Sequence, residues 1–373
     1  MKCPHCNNEI SDEAKFCPYC GNIVIKPRED KNVVGETLNR ITEKMTGEEI
    51  DTKLKMRDLF SGVFRRHTKQ ESENIFLAGF TGHEVEEKDL SSTWPKPWLF
   101  SRVFAYLFIT TVMLSFMLTF FQNPNAYAGL IFIGSCCVPI SLLVFMFEAN
   151  VPRNISIIDV IKLFFIGGVA SLLVTLMLFE FSVAVNNEFL YAITIGIVEE
   201  TGKLIVTYVI LKRSGKNRYI LNGLLVGAAV GCGFAVFESA GYAFRFAIEY
   251  GTETMYAVIL QRNLLAVGGH ISWAAIAGGA MVLSRGDKPF FIVHTAMGKK
   301  FWYFFGACIL LHAVWDMPFA LTNIGAIIYY FVLCISAITL VFVLINAGLK
   351  QVSDIAYRAN HEVVHIELPT FLG

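Results

Sequence analysis

The sequence has 373 residues, of which 54% are hydrophobic and 17% are charged, and its formal net charge is zero. A soluble globular domain usually carries about 25% charged residues, so this composition excludes an ordinary soluble protein. The balanced charge gives no reason to expect a nucleic-acid partner. Polar residues fill positions 1–97, whereas long apolar runs dominate from Trp98 onward. We therefore predict an all-α integral membrane protein with a polar N-terminal segment.

The first 25 residues contain two Cys-x-x-Cys pairs, Cys3–Cys6 and Cys17–Cys20. Two such pairs can present four thiolates tetrahedrally to zinc, which predicts a small four-cysteine zinc ribbon over residues 1–25. A segment this short has no hydrophobic core, so the metal would supply its folding energy. A zinc site with four thiolate ligands is closed, which makes this zinc structural or a docking point. The alternative is a redox-active pair of dithiols.

Residues 26–97 form a charged connector in this interpretation. Within it, Leu54–His67 has the pattern of an amphipathic helix that would suit a membrane surface. The alternative for the same stretch is a solvated linker helix.

Eight apolar stretches within residues 98–347 are long enough to be transmembrane helices, since one crossing needs ~20 mostly apolar residues. They lie near Arg102–Phe121, Ala126–Phe147, Ile158–Phe181, Phe189–Leu211, Tyr219–Arg245, Asn263–Leu283, Phe301–Leu321 and Gly325–Ala347. Residues 348–373 would follow as a cytosolic tail. Glycines Gly223, Gly227 and Gly231 recur at four-residue spacing, which predicts that the fifth helix packs closely in the bundle, with the sixth also central.

Basic residues crowd alternate loops, whereas the first, third and seventh loops have no Lys or Arg. The fifth predicted loop holds Arg262 beside Glu249 and Glu253. The positive-inside rule then puts both termini in the cytoplasm of a multi-pass protein of the plasma membrane. A reducing cytosol also suits zinc-binding thiolates.

Ionisable residues inside membrane spans are costly and usually functional. Four of the predicted spans carry them: Glu199, Glu200 and Lys203 in the fourth, Glu238 with Tyr242 in the fifth, His270 in the sixth, and His312 with Asp316 in the seventh. Residues three or four apart share one helix face, so Lys203 can reach back to either glutamate. For the same reason Glu238 shares a face with Tyr242, and His312 shares one with Asp316. At 1.5 Å per residue, the acids and histidines lie roughly 8–15 Å from the outer ends of their spans. Four helices that contribute such groups at one level predict a single site.

Two chemistries fit this group of residues. In the first, His270 and His312 hold a zinc ion with Glu238 or another carboxylate, and a remaining glutamate acts as general base. In the second, a glutamate activates water directly and the histidines stabilise the oxyanion. Both would hydrolyse an amide inside or near the membrane. A transporter's proton relay and a buried ion-pair network that only holds helices together are the non-catalytic alternatives.

The four motifs Glu199-Glu200-x-x-Lys203, Phe237-Glu238-x-x-x-Tyr242, a single His270 and His312-x-x-x-Asp316 follow one another in the order typical of the PrsW family of intramembrane proteases. The sequence resembles that family over roughly Ile158–Leu344, and more distantly the CAAX prenyl protease and bacteriocin-immunity membrane proteins.

This resemblance implies regulated intramembrane proteolysis of a single-span membrane protein, such as an anti-sigma factor, on its extracytoplasmic side. It implies Glu199 and Glu200 as the leading catalytic residues. It further implies Glu238, His270, His312 and Asp316 as catalytic residues or ligands of a catalytic metal, with Lys203 and Tyr242 in supporting roles.

A second protease-like pattern, His361-Glu-Val-Val-His365, matches the HExxH zinc motif in the expected tail. It follows the last span and has no visible third ligand, so surface histidines on a polar helix are the preferred interpretation. A third functional hypothesis makes the protein a signalling adaptor whose active end is the zinc ribbon.

Overall fold

The computed structural model describes residues 6–9, 17–22, 32–52, 54–182 and 185–362. The chain divides into two compact units, Met1–Val33 and Val34–Gly373. Over the described ranges the second unit is helical, with no β-strand. In chain order its helices are α1 (Val33–Thr46), α2 (Met56–Leu59), α3 (Lys69–Phe76), α4 (Leu99–Thr119), α5 (Ala126–Ala149), α6 (Ile157–Lys162), α7 (Gly168–Glu180), α8 (Glu188–Ser214), α9 (Ile220–Tyr250), α10 (Thr252–Leu265), α11 (His270–Arg285), α12 (Ile292–Thr295), α13 (Lys299–Trp315) and α14 (Asn323–Glu362).

Six segments in the described part of the chain are long and apolar enough to cross a membrane. They are Leu99–Thr119, Ala126–Ala149, Ile157–Glu180, Ile220–Tyr250, Thr252–Arg285 and Asn323–His361. The expected count of eight is therefore not confirmed. The two missing candidates are α8, whose centre carries three charged side chains, and α13, which has only 17 residues. Whether these two helices also span the membrane stays a prediction.

The expected fifth loop is wrong in the region of Arg262. Helix α9 continues to Tyr250 and α10 begins at Thr252, so only Gly251 separates the two helices. Arg262 consequently lies in the last turn of α10. A 3-10 turn, Ala266–Gly268, then leads through the extended residue Gly269 into α11. One long apolar segment thus contains two helices with a break between them.

The centre of the bundle is formed by α9 and α11, as the glycine spacing predicted. Every residue from Ile220 to Val236 is buried. A methyl group added at Gly227 would collide with the backbone carbonyl of Ala274, and one added at Gly223 would collide with that of Gly278. Such close contact of two backbones requires small residues. The prediction that these two helices are central is confirmed.

The connector packs against the bundle rather than running free of it. The side chain of Asn346 in α14 is fully buried and donates to Asn39 Oδ1 at 3.0 Å and to Thr42 Oγ1 at 3.3 Å, both in α1. Near α4, the Glu148 carboxylate accepts the first N–H groups of that helix at 2.8–2.9 Å. The prediction of an amphipathic helix over Leu54–His67 is wrong, because only Met56–Leu59 is helical there and turns follow it.

Candidate active site

Four helices bring the sequence-predicted acids and histidines to one place in the bundle. Glu199 and Glu200 lie near the middle of α8, and Glu238 lies in the second half of α9. His270 is the first residue of α11, and His312 lies in the last turn of α13. The two imidazole rings are 5.1 Å apart between centroids. The structure therefore gathers into one site residues that are far apart in the sequence.

His270 begins its helix because two glycines precede it. Gly268 lies against α14 so closely that an added Cβ would come within 2.6 Å of Cys334 Cα. Gly269 is extended, with φ −101° and ψ −150°, which ends the 3-10 turn before the new helix begins. This break directs the His270 side chain toward α8 and α9.

His312 is held from both sides of its ring. Its Nδ1 lies 2.7 Å from Glu200 Oε1, and its Nε2 lies 3.3 Å from Asp316 Oδ2. The Trp273 indole stacks on the imidazole, with centroids 4.5 Å apart. A carboxylate on the far nitrogen and a stacked ring fix the orientation of an imidazole that acts through its other nitrogen. That other nitrogen, Nε2, faces Glu199 Oε2 at 3.6 Å.

His270 is held in a similar way. Its Nε2 lies 2.9 Å from Glu238 Oε2, and its Nδ1 lies 2.8 Å from Lys203 Nζ. An ammonium group is only a donor, so Nδ1 is the acceptor in this contact and Nε2 carries the hydrogen that is donated to Glu238. Lys203 also lies 2.6 Å from Glu200 Oε1 and is 1% exposed. Its charge is therefore shared between a carboxylate and an imidazole.

These contacts form one connected row of side chains, which we call the polar chain. Its members, in order of contact, are Asp316, His312, Glu200, Lys203, His270, Glu238 and Arg262. Charged groups buried in an apolar bundle require partners of this kind.

Glu199 stands beside the polar chain and is bound less tightly than its members. Its Oε2 is buried and, among the described residues, has no hydrogen-bond partner. The histidine nitrogens nearest to it are His312 Nε2 at 3.6 Å and His270 Nδ1 at 3.9 Å. Glu199, His270 and His312 can each offer a ligand atom, and these atoms lie within 4.8 Å of one another.

This donor set fits a zinc ion. Two ligands of a tetrahedral zinc at 2.0–2.1 Å are separated by about 3.4 Å. The distances from Glu199 to the two imidazoles are close to that value, and the opposite nitrogen of each ring contacts a carboxylate, as metal-binding histidines require. One group must move, because the Lys203 ammonium lies against His270 Nδ1. Its contact with Glu200 gives it a second partner to retain.

An open cleft of about 540 Å³ gives access to this site. Its walls include Glu199, Glu238, His270, His312 and Asp316. Tyr242 lines the same cleft, with 38% of its surface exposed. Its volume lies within the range of about 300–1,000 Å³ that is typical of ligand-binding clefts.

The N-terminal unit brings three of its four cysteines together. The ligand atoms of Cys6, Cys17 and Cys20 lie within 4.8 Å of one another, and Cys6 Sγ is 3.5 Å from Cys17 Sγ. Thiolates of a tetrahedral zinc site with bonds near 2.3 Å are about 3.8 Å apart. The fourth expected ligand, Cys3, lies outside the described residues.

Each of the two units contains a match to a known protein family. A model of a PrsW family intramembrane metalloprotease matches residues 156–345, and a zinc-ribbon domain matches residues 2–24. The chain belongs to the PrsW family. No curated protein and no solved structure matches it.

The PrsW match includes all four helices that build the site. It supports an intramembrane peptidase that acts within the lipid bilayer on a membrane protein, and a multi-pass membrane protein. The zinc-ribbon match, together with the three clustered thiols, supports structural zinc at the N-terminus.

Two residues that contact the site are absent from the sequence motifs. Arg262 in α10 makes an ion pair with Glu238, donates through Nε to Ser239 Oγ at 2.7 Å, and lies 4.7 Å from the centroid of the Tyr242 ring. Trp273 stacks on His312. In the sequence, Arg262 is a single charged residue next to an apolar stretch, which is the signal that it could lie in the bundle. The predicted loop accounts for the same charge without any contact to the site. For Trp273, its position three residues after His270 placed it near the site, but no pattern indicated the stacking.

The HExxH pattern of the tail lies only partly in the described chain. His361 is exposed near the end of α14, and its Nδ1 lies 2.8 Å from the Tyr357 carbonyl oxygen. Its ring stacks on the Tyr357 ring, with centroids 4.0 Å apart. His365 lies outside the described residues. The preference for a surface histidine over a zinc site therefore stays a prediction.

Proposed function

We propose that this protein is an endopeptidase that hydrolyses a membrane-anchored protein in the cleft beside Glu199. The observation that carries the proposal is the convergence of Glu199, His270 and His312 within 4.8 Å on the wall of that cleft. A carboxylate with one oxygen that has no hydrogen-bond partner among the described residues, next to two oriented imidazoles, is suited to the activation of water. Membership of the PrsW family supports the same reaction class.

The surrounding residues have distinct roles in this proposal. Glu200 and Glu238 each contact one nitrogen of a histidine and orient its ring. Lys203 neutralises Glu200 and keeps His270 Nε2 protonated. Asp316 lies 3.3 Å from His312 Nε2 at the mouth of the site, where 31% of its side chain is exposed. Tyr242 and Arg262 line the same cleft and contact each other, with the guanidinium 4.7 Å from the centroid of the Tyr242 ring.

We further propose that Glu199, His270 and His312 hold a zinc ion. When bound there, zinc would lower the pKa of a water molecule and polarise the scissile carbonyl. If the site is metal-free, the same Glu199 is the general base and the two histidines face the carbonyl oxygen. Glu199 is central in both cases.

The proposed substrate is a single-span protein, such as an anti-sigma factor, and its cleavage would start a signalling response. Two features support cutting on the extracytoplasmic side of the plasma membrane. The distribution of Lys and Arg favours cytoplasmic termini, and the site residues lie roughly 8–15 Å from the outer ends of their predicted spans. The zinc ribbon would then lie in the cytosol.

Cleavage of a single-span reporter by the full-length protein in proteoliposomes tests the proposal. Glu199→Gln should abolish cleavage at unchanged expression, and His312→Ala should abolish cleavage as well. Glu249→Gln is the matched control, because this acid lies near the end of α9, with about half of its side chain exposed, away from the cleft. Normal cleavage by both site variants would exclude the proposed reaction.

One observation favours a second candidate function. The polar chain is a continuous row of titratable groups inside the bundle, and such rows relay protons in transporters. That function predicts proton flux across the vesicle membrane, abolished in Glu200→Gln, with no reporter cleavage. If the ribbon were instead the active end of an adaptor, deletion of residues 1–30 would remove function while the site variants would not.

A further inference from the structure

An apolar groove runs along the outside of the bundle between α10 and α14. It has a volume of about 690 Å³. Its walls include Leu260 and Leu264 from α10 and Ile327 and Phe331 from α14, each more than 60% exposed. None of the lining residues is charged. In water such a surface would be unstable, so it faces lipid or a partner of equal apolarity.

The groove leads directly into the catalytic cleft. Gln261 and Leu265 line both the groove and the cleft. On the opposite wall, Tyr330 of the groove contacts Trp315 of the cleft, with ring centroids 4.9 Å apart. A molecule held in the groove therefore has a path to Glu199 that does not leave the bilayer region of the bundle.

The dimensions of the groove match one face of a helix. Its α14 wall, from Ala326 to Ile338, is about 18 Å long at 1.5 Å per residue, which equals about three helical turns. Small residues, Ala257 and Ala326, lie on the two walls, where they permit a close approach of another backbone. Toward the α11 side the groove is closed, because Gly268 packs against Cys334.

We propose that this groove docks the transmembrane helix of the substrate. The docked helix would lie between α10 and α14, and the segment beyond it would unwind into the cleft between Gln261 and Trp315. Gln261 lies where the groove meets the cleft, which is where the docked helix would lose its backbone hydrogen bonds. Its side-chain amide can donate to and accept from the unwound peptide there. This inference rests on the proposed peptidase function and names how its substrate enters.

Continuity with the cleft favours a helix over a lipid as the occupant. A lipid chain would fill the groove but would have no reason to reach the polar residues beyond it. A peptide must reach them, because the scissile bond has to meet Glu199. The two occupants give different outcomes in a crosslinking experiment.

The neighbouring residues Ile327 and Ile328 allow a crosslinking test that compares a position inside the groove with a position outside it. Both are exposed on α14, at 70% and 58%, but only Ile327 lines the groove. The photoreactive residue p-benzoylphenylalanine is placed at either position in the full-length Glu199→Gln protein, which is reconstituted with a fluorescent peptide that has one apolar transmembrane segment and a flexible polar extension. We expect about tenfold more peptide adduct at position 327, the ratio that a preference of about 1.4 kcal/mol gives. Equal adducts at both positions, or lipid adducts alone, would overturn the proposal.

A second measurement uses the active protein and separates this inference from the peptidase function. Ile327→Trp partly fills the groove, whereas Ile328→Trp does not. We expect the first variant to cleave the single-span reporter about tenfold more slowly than the second, because the larger side chain obstructs the docking helix. A soluble peptide with the same cleavage sequence should be cut equally by both. Equal cleavage of the spanning reporter by the two variants refutes docking in the groove but leaves the peptidase function standing. Crosslinking at position 327 without any cleavage by the wild-type protein refutes the peptidase function but leaves docking standing.

Discussion

The adjacent glutamates of α8 provide the sharpest test of the site, because the structure gives them different surroundings. The Glu200 side chain is fully buried and contacts both Lys203 and His312. Glu199 lines the cleft, and its buried oxygen has no hydrogen-bond partner among the described residues. Glu199→Gln and Glu200→Gln make the same chemical change in neighbouring residues, so they separate catalysis from stability.

The expected magnitudes follow from these contacts. Glu200→Gln removes one charge of a buried ion pair and leaves the Lys203 ammonium without a counter-charge, which typically costs about 3–5 kcal/mol of unfolding free energy. Glu199→Gln breaks no hydrogen bond of the buried oxygen, so its effect on stability should stay within about 1 kcal/mol. Its effect on cleavage should be a loss of at least about 10²-fold, the lower end of what a general base contributes, whether Glu199 is that base or a ligand of zinc.

Unfolding in detergent micelles and reporter cleavage in proteoliposomes measure the two quantities. Glu200→Gln combined with Lys203→Met serves as the control, because removing both charges should restore at least about 1 kcal/mol relative to Glu200→Gln alone. The reasoning is refuted if Glu199→Gln is as unstable as Glu200→Gln. It is equally refuted if Glu199→Gln cleaves at the wild-type rate.

Three further outcomes are expected. Arg262→Met should lower kcat/KM of reporter cleavage by about 10–100-fold, because the arginine orients a carboxylate that orients a histidine, and Arg262→Lys should recover part of the loss. Gly227→Ala should destabilise the bundle in thermal unfolding by about 1–3 kcal/mol, since its methyl group meets a backbone carbonyl, whereas Gly241→Ala has open space and should not. Metal analysis should find one zinc equivalent lost in Cys17→Ser and a different one lost in His312→Ala; retention of all zinc in the second variant would make the membrane site metal-free.

The sequence was informative where residues three or four apart had to share a helix face. That rule predicted that Lys203 could reach a glutamate of its own helix, and the two charges are 2.6 Å apart. It also paired His312 with Asp316, which lie 3.3 Å apart. Four-residue glycine spacing identified the central helices for a similar reason, because periodicity determines which surface a helix presents.

The sequence was uninformative where one apolar stretch contains two helices. Hydropathy reports how apolar a segment is and says nothing about a break within it, so it predicts a loop over most of α10, residues 252–262. Arg262 was consequently placed outside the bundle, although it pairs with Glu238. The packing of the connector on α14 was missed for a related reason. Its polar groups, such as Asn39 and Thr42, are satisfied by Asn346, a partner far away in the sequence.

The polar chain explains how an apolar bundle tolerates so many charges and why one acid is different. Each member of the chain contacts at least one neighbour of complementary hydrogen-bonding character, so removing a single member leaves a buried group without its partner. These residues are therefore expected to be structural and functional at once, and their variants alone identify no nucleophile or base. Glu199 stands outside the chain, faces the cleft, and keeps an oxygen that makes no hydrogen bond within the part of the protein that the structure describes. An atom that the fold does not need is the one available to a substrate, and this favours Glu199 over Glu200 as the reactive carboxylate.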